Sequence, residues 1–178
     1  MIKVISFDLD GTLADLNFEE AVWFRGIPAL YAEQHRTAFR QALKTVSAEY
    51  SKVSSLDAEW YDINYWFRRL KLKGSPRSVL TEAKHHIKLY PDTLPALRRL
   101  KRGHRLAIVS NATSDFIGFK LGVEGLGKYF SRVFSASSDF GLVKGNAGVF
   151  EKVCGKMRIS PAEMVHVGDQ YGFDYLAA

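Results

Sequence analysis

The feature that most constrains the fold is the alternation of short apolar runs with helical patterns. Four such runs, rich in β-branched and aromatic residues, occupy positions 2–7, 105–110, 133–136 and 164–168. Runs of this length and composition are typical of buried strands, and the segments between the last three have the spacing of amphipathic helices. Strands separated by helices pair in parallel through right-handed crossovers. The sequence therefore predicts an α/β fold with a parallel sheet.

A long helical region follows the first strand. Apolar residues between positions 18 and 90 recur at three- and four-residue spacing. The pattern predicts one long helix over 29–50 and a second over 60–70, with Ser55 and Asp57 as caps between them. The aromatic residues of the second helix either pack in the core, which we favour, or line a pocket.

Composition indicates one soluble globular unit, or a core with a small insert. The chain has 178 residues, of which 47% are hydrophobic and 25% charged. It contains no apolar stretch long enough to cross a bilayer, and its start lacks the basic flank and long apolar core of a secretion signal. The single cysteine, Cys154, cannot form an internal disulfide, and we expect it to fill space in a helix. We therefore expect a cytoplasmic protein with no membrane partner.

An excess of basic residues favours anionic partners. Lysine and arginine number 25 against 19 aspartates and glutamates, which gives a formal net charge of +6. Two clusters, at 68–77 and 98–105, interleave basic with apolar residues at helical spacing. We favour solvated helix faces for both, because the chain contains no recognised nucleic-acid-binding motif. Nucleic acid is therefore not an expected partner, and the sequence does not indicate an oligomeric state.

Two carboxylates one residue apart follow the first strand. Asp8 and Asp10 precede a turn at Gly11. Because alternate side chains of a strand point the same way, both carboxylates can share a metal ion, a phosphate or a proton. Turn chemistry alone is the simpler alternative. A calcium loop of the EF-hand kind is excluded, since Leu13 stands where that loop needs glycine.

Polar residues also follow the other three predicted strands. Ser110 and Asn111 end the second strand, Lys144 follows the third, and Asp169 and Asp174 follow the fourth. In open parallel sheets, ligands bind beyond the carboxyl ends of the strands. Taken alone, each residue is better explained as a helix cap, a loop carboxylate or a surface charge. Together with the two carboxylates of the first strand, they favour a single site.

These residues lie in motifs that resemble those of the haloacid dehalogenase superfamily. The first motif, which is highly specific, is matched by Phe7–Leu13. The other three are matched by Ile108–Asn111, Gly141–Lys144 and Val167–Asp174. The match runs from end to end of the chain. The resemblance implies a hydrolase whose core is a Rossmann-like parallel sheet.

The helical region is similar to the cap domain that many members of the family carry at this position. The resemblance implies an α/β core built from residues 1–15 and 91–178, with residues 16–90 as an inserted α-helical cap. The chain stops at Ala178, where the family continues through a helix and at least one more strand. We therefore expect that the C-terminal part of the core is missing and that the fourth strand is an exposed sheet edge.

The chemistry of the carboxylates and the resemblance together imply a phosphatase. A phosphate ester is an anion that repels nucleophiles, so a Mg²⁺ ion held by carboxylates must screen its charge. The expected ligands are Asp8, Asp169 and the main-chain oxygen of Asp10, with Asp174 in support. Asp8 is also the expected nucleophile, which forms an aspartyl-phosphate. We expect Asp10 to protonate the leaving alcohol and then to activate the water that hydrolyses the intermediate.

The remaining motif residues are expected to bind the phosphoryl group. Ser110, the amide of Asn111 and the ammonium of Lys144 would hold its oxygens as charge builds in the transition state, which makes Lys144 both catalytic and substrate-binding. One residue departs from the family pattern. Gly145 follows the lysine where proline is usual, and this predicts a looser placement of the lysine.

Two alternatives to a phosphatase stay open. Members of the family that cleave carbon–halogen bonds typically lack the second aspartate and the metal, so Asp10 favours a phosphatase over a 2-haloacid dehalogenase-type hydrolase. A truncated chain could instead be a non-catalytic protein that binds a phosphate or a protein partner through its basic surface and open sheet edge. For a phosphatase, the expected substrate is a small-molecule phosphomonoester. Phosphoglycolate, sugar phosphates and nucleotides are all compatible with the sequence.

Overall fold

Four parallel strands form the sheet. The computed structural model describes residues 1–178. The bounds of the strands are β1 (Val4–Phe7), β2 (Arg105–Ser110), β3 (Arg132–Ser135) and β4 (Met164–Val167). The strands lie in the order β3-β2-β1-β4, and Phe7 of the inner strand β1 pairs with Ile108 on one side and with Val167 on the other. The prediction of an α/β fold with a parallel sheet is confirmed.

Nine α-helices surround or extend from the sheet, and the first five lie between β1 and Thr93. They are α1 (Asn17–Ala21), α2 (Ile27–His35), α3 (Phe39–Tyr50), α4 (Ile63–Arg69), α5 (Pro76–Ala83), α6 (Thr93–Leu100), α7 (Ser114–Leu121), α8 (Ala136–Phe140) and α9 (Val149–Met157). Wider turns of π-helix at Val22–Gly26 and Tyr171–Tyr175, and tighter 3₁₀ turns at Ala58–Tyr61, Lys84–His86, Val123–Tyr129 and Pro161–Glu163, complete the helical structure.

Hydrophobic clusters cover both faces of the sheet, because side chains alternate along each strand. On one face, Ile5 and Phe7 belong to a cluster with Leu97 of α6 and Ile117 of α7. On the other face, Val4 joins a cluster that includes residues of α9. Burial on both faces is the usual condition of parallel sheets.

A third cluster holds the helices after β1 together. It contains 14 buried residues, and all but Phe116 lie between Phe18 and Ala83. Phe116 belongs to α7 and stacks on Trp23, with 5.3 Å between the ring centroids. The inserted helices thus have a hydrophobic core of their own. This fits the division into cap and α/β core, which stays a prediction.

The prediction of one long helix over 29–50 is wrong. Helix α2 ends at His35, and Arg36 adopts the left-handed conformation with a φ of 51°. The amide of Thr37 donates to the carbonyl of Ala32, and that of Arg36 to Glu33, which closes the helix end as glycine usually does. The apolar spacing continues across this break. Because the left-handed residue is an arginine, the sequence has no glycine there to indicate where the helix ends.

The predicted caps are also wrong. Neither Ser55 nor Asp57 makes a side-chain capping bond, because a 3₁₀ turn intervenes before α4. Helix α4 is capped instead by Asp62, whose carboxylate accepts a hydrogen bond of 2.8 Å from the amide of Asn64. The aromatic pattern therefore begins before the α-helix does.

The surface agrees with several sequence predictions. Strand β4 is an edge of the sheet, and Val165 and Val167 are 44% and 42% exposed. The basic residues of the two clusters at 68–77 and 98–105 are exposed, and Cys154 is buried. None of the helices combines the length and the apolar character that crossing a membrane demands.

Candidate active site

The turn after β1 carries Asp8 beyond the sheet. The amide of Asp8 donates to the carbonyl of Val167 (2.8 Å), which extends the β1–β4 ladder by one residue. Gly11 then reverses the chain with a φ of +83°, and a Cβ there would lie 2.5 Å from Oδ2 of Asp169. Only glycine meets both conditions. The turn thereby brings the carboxyl ends of β1 and β4 into contact.

Lys144 ties the acidic residues together. Its Nζ lies 2.9 Å from Oδ1 of Asp8 and 2.5 Å from Oδ1 of Asp174, and the residue is only 2% exposed. Its amide donates to Oδ1 of Asn111 at 2.7 Å, which fixes its backbone. The looser placement predicted from Gly145 is not observed. A Cβ at Gly145 would lie 2.8 Å from the ring of Phe173, so this ring packs against the glycine where a side chain would otherwise stand.

Three carboxylates are close enough to share a metal ion. Asp8, Asp169 and Asp174 offer oxygens that lie within 4.8 Å of one another. Both oxygens of Asp174 already accept hydrogen bonds, one from Lys144 and one from the amide of Gln170 (2.9 Å). A set of carboxylate oxygens with a single neighbouring ammonium has the chemistry that Mg²⁺ prefers. The residues present therefore fit Mg²⁺, with Asp174 better suited to support than to direct ligation.

A buried histidine supports Asp174. His166 Nε2 lies 3.0 Å from Oδ1 of Asp174, and its Nδ1 lies 2.8 Å from Oγ of Ser6. Burial lowers the pKa of His166, so the neutral ring donates from Nε2 and accepts from the serine. Although burial opposes ionisation of Asp174, the bond from His166 and the charge of Lys144 hold its pKa well below the ordinary value. Asp174 is therefore an anion in the folded protein.

The environment of Asp8 acts in the opposite direction. Burial, together with the negative charges of Asp10 and Asp174, raises the pKa of Asp8 to about 7, against the attraction of Lys144. A second positive charge at this position would favour the ionised carboxylate.

A buried lysine that was not predicted from the sequence lies beside Asp10. Lys120 of α7 is fully buried, and its Nζ donates to Oδ1 of Asp10 and to Oε1 of Glu19. Burial raises the pKa of Glu19 to about 7, against the attraction of Lys120. The two carboxylates outweigh the effect of burial on Lys120, whose pKa is raised, so it stays charged. One signal was available, because Lys120 lies three and four residues after the buried Ile117 and Phe116 on one helix face.

Asp8 and Asp10 line a cavity of about 210 Å³. Ser110, Asn111 and Lys144 line the same cavity, so the predicted site residues of the first three motifs meet there. Asp169 belongs to the carboxylate cluster with Asp8 and Asp174 but does not line the cavity. The hydroxyl of Ser110 accepts from the amide of Ala112 at 3.1 Å.

Aromatic residues form the far wall of this cavity. The preference for core packing of the aromatic residues at 60–67 was wrong for Trp60 and Tyr61, which are partly exposed and line the cavity. Trp66 also lines the cavity, but it is 1% exposed and belongs to the hydrophobic cluster of the insert, as expected. Tyr61 reaches the opposite side, where its hydroxyl accepts from Nδ2 of Asn111 at 3.3 Å. Helical spacing alone does not distinguish residues that line a cavity from residues that pack in a hydrophobic core, since the helix face is apolar in both cases.

The sequence matches the haloacid dehalogenase-like hydrolase family over residues 2–178. The chain belongs to this family. The resemblance seen in the four motifs is thus confirmed across almost the whole chain, and the fold agrees. A phosphatase of the same family from Thermococcus onnurineus superimposes with a TM-score of 0.85 at 26% sequence identity, over 99% of this chain and 81% of that one.

Relatives in this hydrolase family have different named substrates. The GMP/IMP nucleotidase YrfG of Escherichia coli (strain K12) is 27% identical over 151 aligned positions, gaps included, which cover 80% of this chain and 63% of the nucleotidase. The phosphoglycolate phosphatase of Vibrio vulnificus (strain CMCP6) is 31% identical over 197 aligned positions, gaps included, which cover 99% of this chain and 79% of that protein. The chain therefore spans less than two thirds of the nucleotidase's length.

Proposed function

We propose that this chain is a Mg²⁺-dependent phosphatase that hydrolyses a small-molecule phosphomonoester through an aspartyl-phosphate on Asp8. The observation that carries the proposal is the meeting of Asp8, Asp10 and Lys144 in one cavity, with Asp169 next to Asp8. The names of the relatives support it, since they include phosphatases and a nucleotidase. Asp10 in turn disfavours the dehalogenase alternative, whose chemistry has no alcohol to protonate.

Asp8 and Asp169 would hold the Mg²⁺ ion, with the main-chain oxygen of Asp10, and Asp174 would support them. When bound, the ion supplies positive charge that screens the substrate phosphate and favours ionised Asp8. Asp174 contributes by fixing Lys144, since its carboxylate is held by His166 and by the amide of Gln170.

In the first half of the reaction, a carboxylate oxygen of Asp8 attacks phosphorus, and the bond from phosphorus to the ester oxygen breaks. The leaving oxygen takes a proton from Asp10, so that the leaving group departs as a neutral alcohol. Lys144 stands beside Asp8, so its ammonium is placed to meet a phosphoryl oxygen together with Ser110 and the amide of Asn111.

In the second half, Asp10 takes a proton from water, and the water oxygen attacks phosphorus of the aspartyl-phosphate. The bond between phosphorus and Asp8 breaks, which releases inorganic phosphate and restores the carboxylate. Lys120 donates to Asp10 and thereby keeps this carboxylate in position for both proton transfers. We assign Lys120 as a positioning residue for Asp10.

We further propose that residues 16–90 act as a cap over an α/β core formed by 1–15 and 91–178, in a protein of the cytoplasm. The separate hydrophobic cluster of the insert supports the division. The cavity lies between aromatic residues of the insert and catalytic residues of the sheet, so opening of the insert would admit a substrate and closing would exclude water.

Hydrolysis of p-nitrophenyl phosphate with and without MgCl₂ tests the proposal. We expect metal-dependent turnover in the wild type, a loss of at least about 100-fold in Asp8→Asn, and wild-type rates in the control Asp92→Asn, whose side chain is exposed. Mass spectrometry of the acid-quenched reaction should detect one added phosphoryl group on the wild type and none on Asp8→Asn. Equal rates in the wild type and Asp8→Asn would refute Asp8 as the nucleophile.

A further inference from the structure

The charges around the cavity are unevenly distributed. Four charged residues line it, namely the carboxylates Asp8, Asp10 and Glu19 and the ammonium of Lys144. Lys144 is held at the phosphoryl end by its contacts with Asp8 and Asp174. No other cationic side chain lines the cavity. The part of the cavity that receives the alcohol therefore offers no free positive charge.

Glu19 places a second carboxylate beside Asp10. Its Oε1 accepts from Lys120, which also donates to Oδ1 of Asp10, so the two acidic side chains share one ammonium. The other oxygen, Oε2, is buried without a hydrogen-bond partner and is closed to solvent. The Glu19 side chain nevertheless lines the cavity, so its charge acts on a ligand that lies next to Asp10.

The rest of the wall is mainly aromatic. Trp23 stacks on Phe116 along one side, and Tyr50 packs edge-on against Trp60 and Trp66 with centroid distances of 5.9 and 4.6 Å. These rings come from the helical insert and from α7. Such surfaces favour the apolar faces of a ring in the ligand. They offer little to a small anion, which would lose its hydration without gaining a counter-charge.

We infer that Glu19 is a specificity-determining residue, which together with Asp10 disfavours esters whose alcohol carries a carboxylate and so favours an uncharged, ring-bearing alcohol. The inference rests on the proposed function, because it concerns the alcohol that the phosphatase releases. A second carboxylate at the leaving group would meet Glu19 and Asp10, with Lys120 already shared between them. Burial raises the pKa of Glu19 to about 7, so the experiments below are run at about pH 8.5, where its carboxylate is ionised.

A matched pair of substrates tests the charge preference. 2-Hydroxyethyl phosphate and 2-phosphoglycolate have similar size and differ in having a hydroxymethyl or a carboxylate group. We expect the wild type to favour 2-hydroxyethyl phosphate by at least about tenfold in kcat/KM. A nucleoside 5′-monophosphate tests the ring, and we expect it to exceed 2-hydroxyethyl phosphate. Preference for 2-phosphoglycolate, or no gain from the ring, would overturn the inference.

The variant Glu19→Gln tests the residue itself. Glutamine keeps a carbonyl oxygen for Lys120 but removes the charge, so we expect the preference ratio to fall by about tenfold. Because both substrates undergo the same chemistry, any effect on Asp10 cancels in this ratio. The control Glu20→Gln, an exposed neighbour on the same helix, should keep the wild-type ratio. An unchanged ratio in Glu19→Gln would overturn the assignment.

The outcome separates the inference from the proposed function. p-Nitrophenyl phosphate serves as a substrate whose alcohol has no carboxylate and whose turnover reports the basic chemistry. If no ester is hydrolysed with Mg²⁺, the proposed function fails and the inference fails with it. If esters are hydrolysed but the carboxylate-bearing one is preferred, only the inference fails.

Discussion

Gly168 is required by the close approach of Asp174. An added Cβ there would overlap the carboxyl group of Asp174, so we expect Gly168→Ala to displace Asp174 from Lys144. The expected cost is about 1–3 kcal/mol in the free energy of unfolding, with a loss of activity that follows from the disordered Lys144. Urea unfolding and kcat/KM for p-nitrophenyl phosphate measure the two effects.

The control for this substitution is Gly155→Ala. Gly155 lies within α9 with open space around its Cα, so alanine should stabilise the helix by about 0.5–1 kcal/mol and leave activity unchanged. Equal unfolding free energies for Gly168→Ala and the wild type would show that Asp174 moves without cost.

Single residues of the site were predictable where the chemistry follows a strand end. Asp8, Asn111 and Lys144 come together because the carboxyl ends of parallel strands share one edge of the sheet. Lys120 and Glu19 were not predicted, because their meeting depends on how α1 and α7 pack. A lysine on a helix is usually solvated, and nothing in the local sequence indicates that this one has two buried partners.

Glu19 makes the stability of the protein depend on pH. Its pKa is raised from 4.5 to about 7 by burial, so between these values the folded protein retains a proton that the unfolded chain has released. Stability contributed by this group is therefore complete below about pH 4.5 and is lost as the pH rises to about 7. Glutamine does not titrate. We expect the stability of Glu19→Gln relative to the wild type to increase by about 2–3 kcal/mol across this range.

Chemical denaturation at several pH values, in a metal-free buffer, measures this difference. The exposed Glu20→Gln, on the same helix, provides the comparison, and the offset from the wild type should change more with pH in Glu19→Gln than in this control. A constant offset for Glu19→Gln would contradict the raised pKa of Glu19.

At the level of elements, the α/β part of the chain was predicted more accurately than the helical insert. The second strand was predicted with its observed bounds, because an apolar run that is buried on both faces has a distinctive composition. The helix over 29–50 was not, since its break at Arg36 involves the left-handed conformation without glycine. Apolar periodicity records which face is buried and continues across such a break. Backbone direction changes there, and the pattern does not record it.

The left-handed conformation of Arg36 predicts a stabilising substitution. A residue with a Cβ is strained there, whereas glycine is not, so Arg36→Gly should raise the free energy of unfolding by about 0.5–1 kcal/mol. The matched control is Lys44→Gly, at an exposed position within α3, which should lower it by about 1 kcal/mol. Urea unfolding of both variants measures the effect. Destabilisation of similar size in both would show that Arg36 makes interactions that outweigh the strain.

At the scale of the whole molecule, the candidate site links the sheet to the inserted helices. Tyr61 of the insert accepts from Asn111 at the end of β2, and Leu56 lies close to Gly145 beside Lys144. The catalytic groups therefore contact both parts of the fold. The four motifs indicated the site residues that follow the strands. The residues contributed by the insert are aromatic, and their spacing is the same whether they line a cavity or pack in a hydrophobic core.

Magnesium should stabilise the folded molecule, because the cluster of Asp8, Asp169 and Asp174 exists only after β1 and β4 have paired. A ligand that binds only the folded state adds about 3 kcal/mol at one hundred times its dissociation constant, which raises the melting temperature. We expect this rise in the wild type and in the exposed control Asp92→Asn, and little or none in Asp169→Asn. Thermal unfolding followed by circular dichroism over a series of MgCl₂ concentrations measures it. An equal rise in Asp169→Asn would place the ion elsewhere, and the absence of any rise in the wild type would contradict a magnesium site at this edge of the sheet.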